Sequence, residues 1–503
     1  MATLSFRRVT QFAQQRRCGR RPPAGGKALM MVVISLPALF GVAGLVFDAG
    51  LMEATKQNLQ HAADAASSAA ARDLALGKSQ SAVVATVQDS LTRNGFADAS
   101  FLVNTPPVSG PFAGRSGFVE VTASTKYDTK IMPAVGGATT VTAAVRSVAG
   151  RMAASAGAAL VVLDPEPPPI TIPVVPLVLP LSYPAILGGL EVLGVGTVRV
   201  DGAVHVNTEW GGVDELGNVA GAGHGPPYAI SCTPLLALTR LKARDVRVVG
   251  GVENKNHFSS FIGGQANPLK AGRLAVPDPL KSVPPPSKAA DASIVTTNRG
   301  GVRVLQLPLL FSTTLQPGVY DWIEIISGNV TFAPGVYIIR NVNPLTGISL
   351  NIAGGIVKAD GVLFYITNSS SYDAVGGSPD SGDGESEPAN TNILNLLPSI
   401  VINGALPGSS FTPLNSAASP FDGMLIYQRR RDYRPIVIVY QNLLGNPAFD
   451  GTIYAKWGHV AFIGDGTHDM KIVAGSARLV SLLGLTLAPS ETLPPAYDVF
   501  PVE

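Results

Sequence analysis

Charged residues are scarce in this chain of 503 residues: they make up 14%, whereas about 25% is typical of soluble proteins. The 37 basic and 35 acidic residues give a net charge of +2, which argues against a protein that coats nucleic acid through its charge. An apolar content of 46% excludes wholesale disorder. The 54 glycines and 40 prolines follow no collagen-like period, so they predict a chain rich in turns and β-strands.

Cysteine is nearly absent, because the chain contains only Cys18 and Cys232. An apolar segment lies between them, and if it spans a bilayer the two thiols lie on opposite sides and cannot pair. We interpret Cys232 as a small buried hydrophobe. The motifs HExxH, GxSxG, paired CxxC and the P-loop are also missing in any fitting context, so we expect no assembled active site and no cofactor.

The basic residues concentrate at the amino terminus, where residues 1–27 carry seven positive charges and no acid. Residues 28–47 follow, with no charge in twenty positions, which is enough helix to cross about 30 Å of hydrocarbon. The positive-inside rule predicts a single-pass membrane protein with a cytoplasmic head and the rest outside. A cleaved signal peptide is the alternative, but this apolar run is longer than the usual signal core.

A helix is predicted over residues 48–77, which are rich in alanine and almost free of β-branched residues. Small residues recur there every three or four positions and form one stripe, which favours close packing against another helix. Gly77 is the predicted carboxyl cap, and a second helix is predicted over residues 79–93.

A basic head and a single span precede Asp48 and the block Leu59-Gln60-His61-Ala62-Ala63-Asp64-Ala65-Ala66. This order of features resembles the amino-terminal domain of TadG-like Flp pilus-assembly proteins. The resemblance implies association with other pilus-assembly membrane proteins through the Ala-rich helix. Its candidate packing residues are Leu59, Gln60, Ala62, Ala63, Asp64 and Ala66. Asp64 is interpreted either as a solvated or capping carboxylate or as a polar contact to a partner helix, and Asp48 as an interfacial boundary residue.

The remaining membrane-proximal part, within residues 48–163, is predicted to be α+β, with alternating strands at 118–126 and 139–146. A proline-dense segment at 164–180 predicts a semi-rigid linker. Residues 181–503 are expected to form an all-β extracytoplasmic body, because short Val/Ile/Tyr runs alternate there with turn residues. A second proline-rich stretch near 277–290 suggests a division of this body.

An internal repeat supports a particular all-β class. Pro317-Gly318-Val319-Tyr320 recurs as Pro334-Gly335-Val336-Tyr337, and a looser copy follows at 360–365. Repeats of about this length predict a β-solenoid whose coils stack their apolar faces. A β-sandwich with similar hairpins is the alternative.

Four segments contain residue types that occur in catalytic, metal-binding or anion-binding sites. For each segment we favour a structural interpretation. Asp201, His205 and Glu209 are one candidate metal or catalytic group, and Asp465, His468 and Asp469 are another, with His459 of similar standing. The acidic loop 373–392 is a candidate calcium site, although exposure alone explains its composition. The Arg429-Arg430-Arg431 run is more simply a solvated turn than an anion-binding site.

We therefore expect a non-enzymatic, membrane-anchored component of a Flp/Tad-type pilus or surface-attachment system. Its partners would be the lipid bilayer, other pilus-assembly membrane proteins and surface polysaccharide, but not nucleic acid. The alternatives are a β-helix lyase or hydrolase acting on polysaccharide, and an adhesin stabilised by calcium.

Overall fold

The computed structural model describes residues 25–168, 188–232, 240–307, 311–382, 397–403, 405–440 and 448–503. The described chain divides into two compact units. The first unit contains the residues up to Arg151 together with Val499–Glu503, and the second contains Met152–Asp498. The chain passes between the two units twice, at 151/152 and at 498/499, and each boundary falls inside a strand. Most of the basic head, most of the predicted linker at 164–180, and residues 383–392 of the acidic loop lie outside the described residues.

The first unit is α+β. Its elements are α1 (Gly25–Ala75), α2 (Gln80–Arg93), β1 (Ser100–Asn104), β2 (Phe118–Asp128), a 3-10 helix (Met132–Val135) and the start of β3 (Thr140–Val162). The strands β1, β2 and β3 pair antiparallel in sequence order. The predicted span and the predicted helix after it form one continuous helix, since alanine-rich sequence offers no break after the apolar segment. Chain reversal follows at Gly77, which adopts a left-handed φ of 73°.

Strands make up nearly all of the regular secondary structure described in the second unit. They are β4 (Gly188–Gly194), β5 (Val198–Val206), β6 (Gly212–Val213), β7 (Val219–Ala220), β8 (Tyr228–Ser231), β9 (Leu241–Val248), β10 (Phe258–Ser260), β11 (Leu269–Lys270), β12 (Asn298–Leu305), β13 (Ser312–Leu315), β14 (Gly318–Ser327), β15 (Asn329–Phe332), β16 (Gly335–Ile339), β17 (Leu350–Ile352), β18 (Ile356–Ile366), β19 (Ile400–Asn403), β20 (Ser410–Pro413), β21 (Met424–Gln428), β22 (Ile436–Tyr440), β23 (Gly451–Gly464), β24 (Gly466–His468), β25 (Met470–Ser481), β26 (Leu485–Leu487) and β27 (Leu493–Pro501). Two short 3-10 helices occur at Lys255–His257 and Asp380–Gly382.

Most of these strands pair in parallel and form three stacks, while β6 and β7 pair antiparallel with each other. One stack runs through β14, β16, β18, β21, β23, β25, β3, β5, β9 and β11. A second runs through β12, β14, β17, β19, β22, β23, β25, β4 and β8. Shorter strands form the third. This pairing is compatible with a β-helix.

The repeat found in the sequence corresponds to neighbouring parallel strands. Gly318 of β14 pairs with Tyr337 of β16, and the rings of Tyr320 and Tyr337 stack with centroids 5.8 Å apart. Each tyrosine hydroxyl donates to the carbonyl oxygen four residues earlier, over 2.6 Å to Gln316 and 2.7 Å to Ala333. The repeated sequence therefore encodes a repeated local structure.

The proline-rich stretch that suggested a division of the body lies across one side of the second unit. Residues 276–294, here called the strap, pack Val276, Leu280 and Val283 against a cluster of buried aromatic and aliphatic side chains. The strap belongs to the same compact unit as the strands beneath it, and a finer division of the body near 277–290 stays a prediction.

Candidate functional sites

One concave feature of the second unit is a groove of about 880 Å³ along one row of turns between strands. Its ionisable lining residues are Asp360, Asp422, Asp450, Asp469, Lys471 and Glu491. Strands in successive parallel positions place these acids at corresponding turns, so one column of carboxylates follows the groove. Sequence reasoning did not single out this column, because the acids are far apart in the chain and each follows an ordinary turn sequence.

Hydrogen bonds link this column from one turn to the next. The Asp450 carboxylate accepts from the backbone nitrogen of Asp469 over 2.9 Å, and the Asp469 carboxylate accepts from that of Ser490 over 2.8 Å. Burial raises the pKa of Asp450, and the charge of Asp469 raises it further, while the Asp469 N–H acts in the opposite direction. The groove therefore contains one carboxyl group poised to hold a proton more readily than usual.

The histidine candidates occupy structural positions. His205 is buried, with Nε2 3.1 Å from the hydroxyl of Ser155, and burial lowers its pKa to about 4 with help from Arg247. Its predicted companion Asp201 instead binds Nε of Arg244 over 2.5 Å, and Glu209 is exposed. The three residues therefore do not form the predicted site.

In the second candidate group, His468 Nε2 lies 3.1 Å from the backbone carbonyl oxygen of Asp465, whereas the Asp469 carboxylate accepts from the Ser490 nitrogen. Burial, reinforced by Arg478, lowers the pKa of His459 to about 3, and its Nδ1 lies 2.9 Å from the Ser476 hydroxyl. Asp465 accepts three backbone N–H groups of a tight turn, from Leu482 to Gly484. In the part of the chain that the structure describes, no group of three or more His, Cys, Asp or Glu side chains is arranged to hold a metal ion.

Asp380 belongs to the predicted calcium loop, but it has a structural role. It is buried, accepts a short hydrogen bond from the Tyr365 hydroxyl and pairs with Nε of Arg429 over 2.9 Å. Arg430 is likewise buried rather than solvated. Its Nη2 donates to three strap carbonyls, those of Leu280, Lys281 and Val283, over 3.0, 3.2 and 2.7 Å. Three consecutive arginines in the sequence do not indicate that one of them is buried against the strap.

Cys232 is a free, buried cysteine, as the sequence predicted. Burial raises the pKa of its thiol, and the nearby Glu253 carboxylate adds to the rise. This thiol is therefore protonated at neutral pH and is a packing residue rather than a nucleophile.

The first half of α1 exposes nearly all of its large apolar side chains, from Leu29 to Phe47. By length and composition, α1 is long and apolar enough to cross a membrane. On this part of the helix Gly44 is the one buried residue, and Asp48 follows one turn later on the same face. That face continues into the hydrophobic core of the first unit.

The predicted helix-packing residues lie on this continuing face. Leu59, Ala62, Ala63 and Ala66 are all at most 1% exposed, in a cluster that also contains side chains of α2, β2 and β3. Those partners are Val83, Val87, Leu91, Val119, Val121, Ala123, Val145 and Ala149. The small residues let the helix approach its own sheet and its own second helix closely. Contact with another protein through this face stays a prediction, and it would require displacement of these elements.

The two polar candidates make contacts within the unit. The Gln60 amide donates from Nε2 to Asp64 Oδ1 over 2.7 Å and to the carbonyl of Arg146 in β3 over 3.1 Å. Asp64 is half-buried. Its carboxylate holds the side chain of Gln60, which in turn connects α1 to β3. This contact lies within the unit, and a polar contact between Asp64 and a partner helix stays a prediction.

This apolar helix and its buried small-residue face agree with the comparison to known families. Residues 26–73 match the family model Tad (TadE/G-like, Flp pilus assembly). The match covers α1 almost completely and confirms the resemblance for this TadE/G-like segment. No curated protein and no solved structure matches the chain, so the second unit is interpreted from its own geometry.

Asp48 stands where the exposed part of the TadE/G-like helix ends. Its carboxylate accepts hydrogen bonds from three consecutive backbone nitrogens, those of Lys130, Ile131 and Met132, over 2.9, 3.0 and 2.7 Å. It therefore holds the start of the 3-10 helix at Met132–Val135. The sequence predicted a boundary residue here, but the distant partner segment could not be found from spacing alone.

Proposed function

We propose that this chain is a membrane-anchored, non-enzymatic component of a Flp/Tad-type pilus-assembly or surface-attachment system. The TadE/G-like match at residues 26–73 carries this proposal. It coincides with a helix whose first half is apolar and exposed, preceded by a strongly basic segment. The span would anchor the chain in the bacterial inner membrane, with the amino terminus in the cytoplasm.

The β-rich body would then be extracytoplasmic, as a β-helix that serves as a scaffold or binding element. Three parallel stacks and a repeated Pro-Gly-Val-Tyr turn support the β-helix. Surface polysaccharide is the proposed ligand class, since long rows of stacked turns suit extended polymers. Other pilus-assembly membrane proteins would bind through surfaces of α1 that the first unit leaves exposed.

The anchoring step is tested by a charge placed within the span. Leu39→Arg puts a guanidinium near its middle, at an insertion cost of about 2.5–3.5 kcal/mol. Leu76→Arg is the matched control, because Leu76 is exposed just after α1. In a deletion strain complemented with each variant, we expect surface filaments and attachment to be lost with Leu39→Arg and kept with Leu76→Arg.

Cell fractionation and protease treatment from outside the inner membrane distinguish the alternatives. Digestion of the body in spheroplasts, with residues 1–27 protected, supports the proposed orientation. Recovery of the full-length chain in the soluble cytosolic fraction would overturn it, as would normal filaments in the deletion strain.

A second candidate function rests on the acid-lined groove. A glycan hydrolase needs two carboxyl groups with different proton affinities, one of them raised to act as an acid. Asp450 has a raised pKa and lies beside Asp469 in that groove. Release of reducing ends from a polysaccharide panel, abolished by Asp450→Asn but not by Asp201→Asn, would favour this enzyme, whereas no release by the unaltered protein would exclude it for that panel.

A further inference from the structure

The connection between β2 and β3 returns to the helix at the end of its exposed apolar part. We call residues 129–138 the hairpin tip. Three of its backbone nitrogens are held by the Asp48 carboxylate. Three charge-assisted hydrogen bonds to a single side chain fix the position of the tip along α1.

Gly44 shows how closely the hairpin tip approaches the helix. It is buried, whereas its neighbours Ala43 and Leu45 are exposed. A Cβ atom built on Gly44 would lie 2.5 Å from Cγ2 of Ile131, which is far closer than two carbon atoms can approach. The contact at Ile131 therefore depends on the absence of a side chain at position 44.

This contact sets the depth of the tip relative to the span. Gly44 precedes Phe47, the last residue of the uncharged segment, by three positions. At about 1.5 Å per residue, Ile131 lies about 4–5 Å inside that end of the segment. If residues 28–47 cross the bilayer, the tip lies at the boundary between hydrocarbon and headgroups.

The composition of the tip suits that boundary. Five apolar residues, 131–135, follow one another, and Lys130 stands at the edge. Pro133 and Ala134 are exposed, while Ile131 and Met132 are half-buried. Exposure of this apolar surface to water is unfavourable. At a membrane boundary the same surface is removed from water.

An apolar environment requires that backbone polar groups are hydrogen-bonded, and many of those in the tip are. Hydrogen bonds within the tip run from the nitrogens of Ala134, Gly136 and Gly137 to the carbonyls of Ile131, Pro133 and Met132, over 3.0, 3.2 and 2.8 Å. With Asp48 satisfying three further N–H groups, most backbone N–H groups of the tip are hydrogen-bonded. Unsatisfied groups would otherwise prevent insertion.

We propose that the hairpin tip inserts into the bilayer boundary beside the span and forms a second membrane contact of the first unit. This inference depends on one part of the proposed function, namely that residues 28–47 span the membrane. The contact would prevent the unit from tilting freely about α1, because the helix and the tip then meet the lipid at two points. The partner is the lipid bilayer, on the side away from the amino terminus.

The test uses the full-length protein with Cys18 and Cys232 replaced by alanine and one new cysteine at a time. Ala134→Cys reports on the tip, Leu39→Cys on the span, and Ser81→Cys on an exposed position of α2. Each is labelled with a nitrobenzoxadiazole fluorophore and reconstituted into phosphatidylcholine vesicles. Lipids brominated near the headgroup or near the chain middle then quench the fluorophore according to its depth.

We expect the probe at Ala134→Cys to emit at shorter wavelength than the probe at Ser81→Cys and to be quenched best by the shallow bromines. The unlabelled Ala134→Cys thiol should also react more slowly with a water-soluble maleimide than the Ser81→Cys thiol. If the tip probe and thiol behave like those of Ser81→Cys while Leu39→Cys is quenched by deep bromines, the tip proposal fails and the anchor stands. If Leu39→Cys is not quenched either, the proposed anchor fails with it.

Discussion

Leu160 of β3 pairs in parallel register with Ile472 of β25. The first of these residues lies near the start of the second unit and the other near its end, and both are fully buried. From Leu160 the chain winds outward through β5 and β9. It then crosses by the strap and winds back through β12 to β25 until the two series meet. Strands that are distant in sequence therefore pair at the point where the two series meet.

We predict that Ile472→Ala destabilises the second unit by about 2–5 kcal/mol, since it leaves a cavity where the two series of strands meet. Leu483→Ala is the matched control, because Leu483 lies close in sequence but is 77% exposed. Denaturant unfolding of the detergent-solubilised protein measures both. Equal midpoints for the two variants would mean that the β3–β25 junction does not stabilise the unit.

Adjacent alanines in α1 give a second prediction. Ala66 is fully buried against α2 and the sheet, whereas Ala65 is exposed. We predict that Ala66→Leu destabilises the first unit by about 1–3 kcal/mol through overpacking, while Ala65→Leu leaves its thermal midpoint unchanged. A stable Ala66→Leu protein that loses its co-purifying membrane partners would instead show that this face binds another helix.

The sequence predicted the elements that local patterns determine. The uncharged segment, the alanine-rich helix, the two alternating strands that begin near 118 and 139, and the Pro-Gly-Val-Tyr repeat are all governed by contacts between residues close in sequence or by a simple period. Each appears in the structure close to the predicted position. The resemblance carried by Leu59 to Ala66 has the same origin, because it depends on one helical face.

Roles that depend on contacts between distant residues were not predictable in this way. The sequence marks Asp48 only as a boundary residue, because its partners at 130–132 follow two intervening strands. It marks Arg430 only as part of a solvated turn, because nothing in its own triplet indicates a strap that covers it. The acids of the groove come together only after the parallel coils are stacked.

Arg430 is predicted to hold the strap in place. It also stacks near the rings of Tyr427 and Tyr454, and Tyr454 in turn donates to Asp278 of the strap over 2.7 Å. Arg430→Met keeps apolar bulk but leaves three strap carbonyls without their donor, which costs about 1–3 kcal/mol for each buried group left unsatisfied.

Limited trypsin digestion measures this effect, because Lys281 in the strap is an exposed cleavage site. We expect faster cleavage there in Arg430→Met than in the original protein, and an unchanged rate in Arg431→Met, whose side chain is exposed. Cleavage at equal rates in both variants would contradict a latching role for Arg430.

Glu120 of β2 should make the first unit sensitive to acid. Burial acts to raise its pKa, but hydrogen bonds to the carboxylate outweigh burial and hold the pKa at about 2, below the ordinary 4.5. Those donors are the Val108 nitrogen, the Ser109 hydroxyl, the Arg146 guanidinium and the Asn104 amide. Because the folded state binds this proton less readily than the unfolded state, the stabilisation is complete above about pH 4.5 and declines as the pH falls towards 2.

We therefore expect Glu120→Gln to lower the thermal midpoint at neutral pH and to flatten its decline between about pH 4.5 and 2. Glu53→Gln is the control, since Glu53 is exposed on α1. Helical circular dichroism isolates the first unit, because both described α-helices belong to it. A Glu120→Gln protein with the same acid sensitivity as Glu53→Gln would show that other carboxylates, and not this buried one, control the acid response.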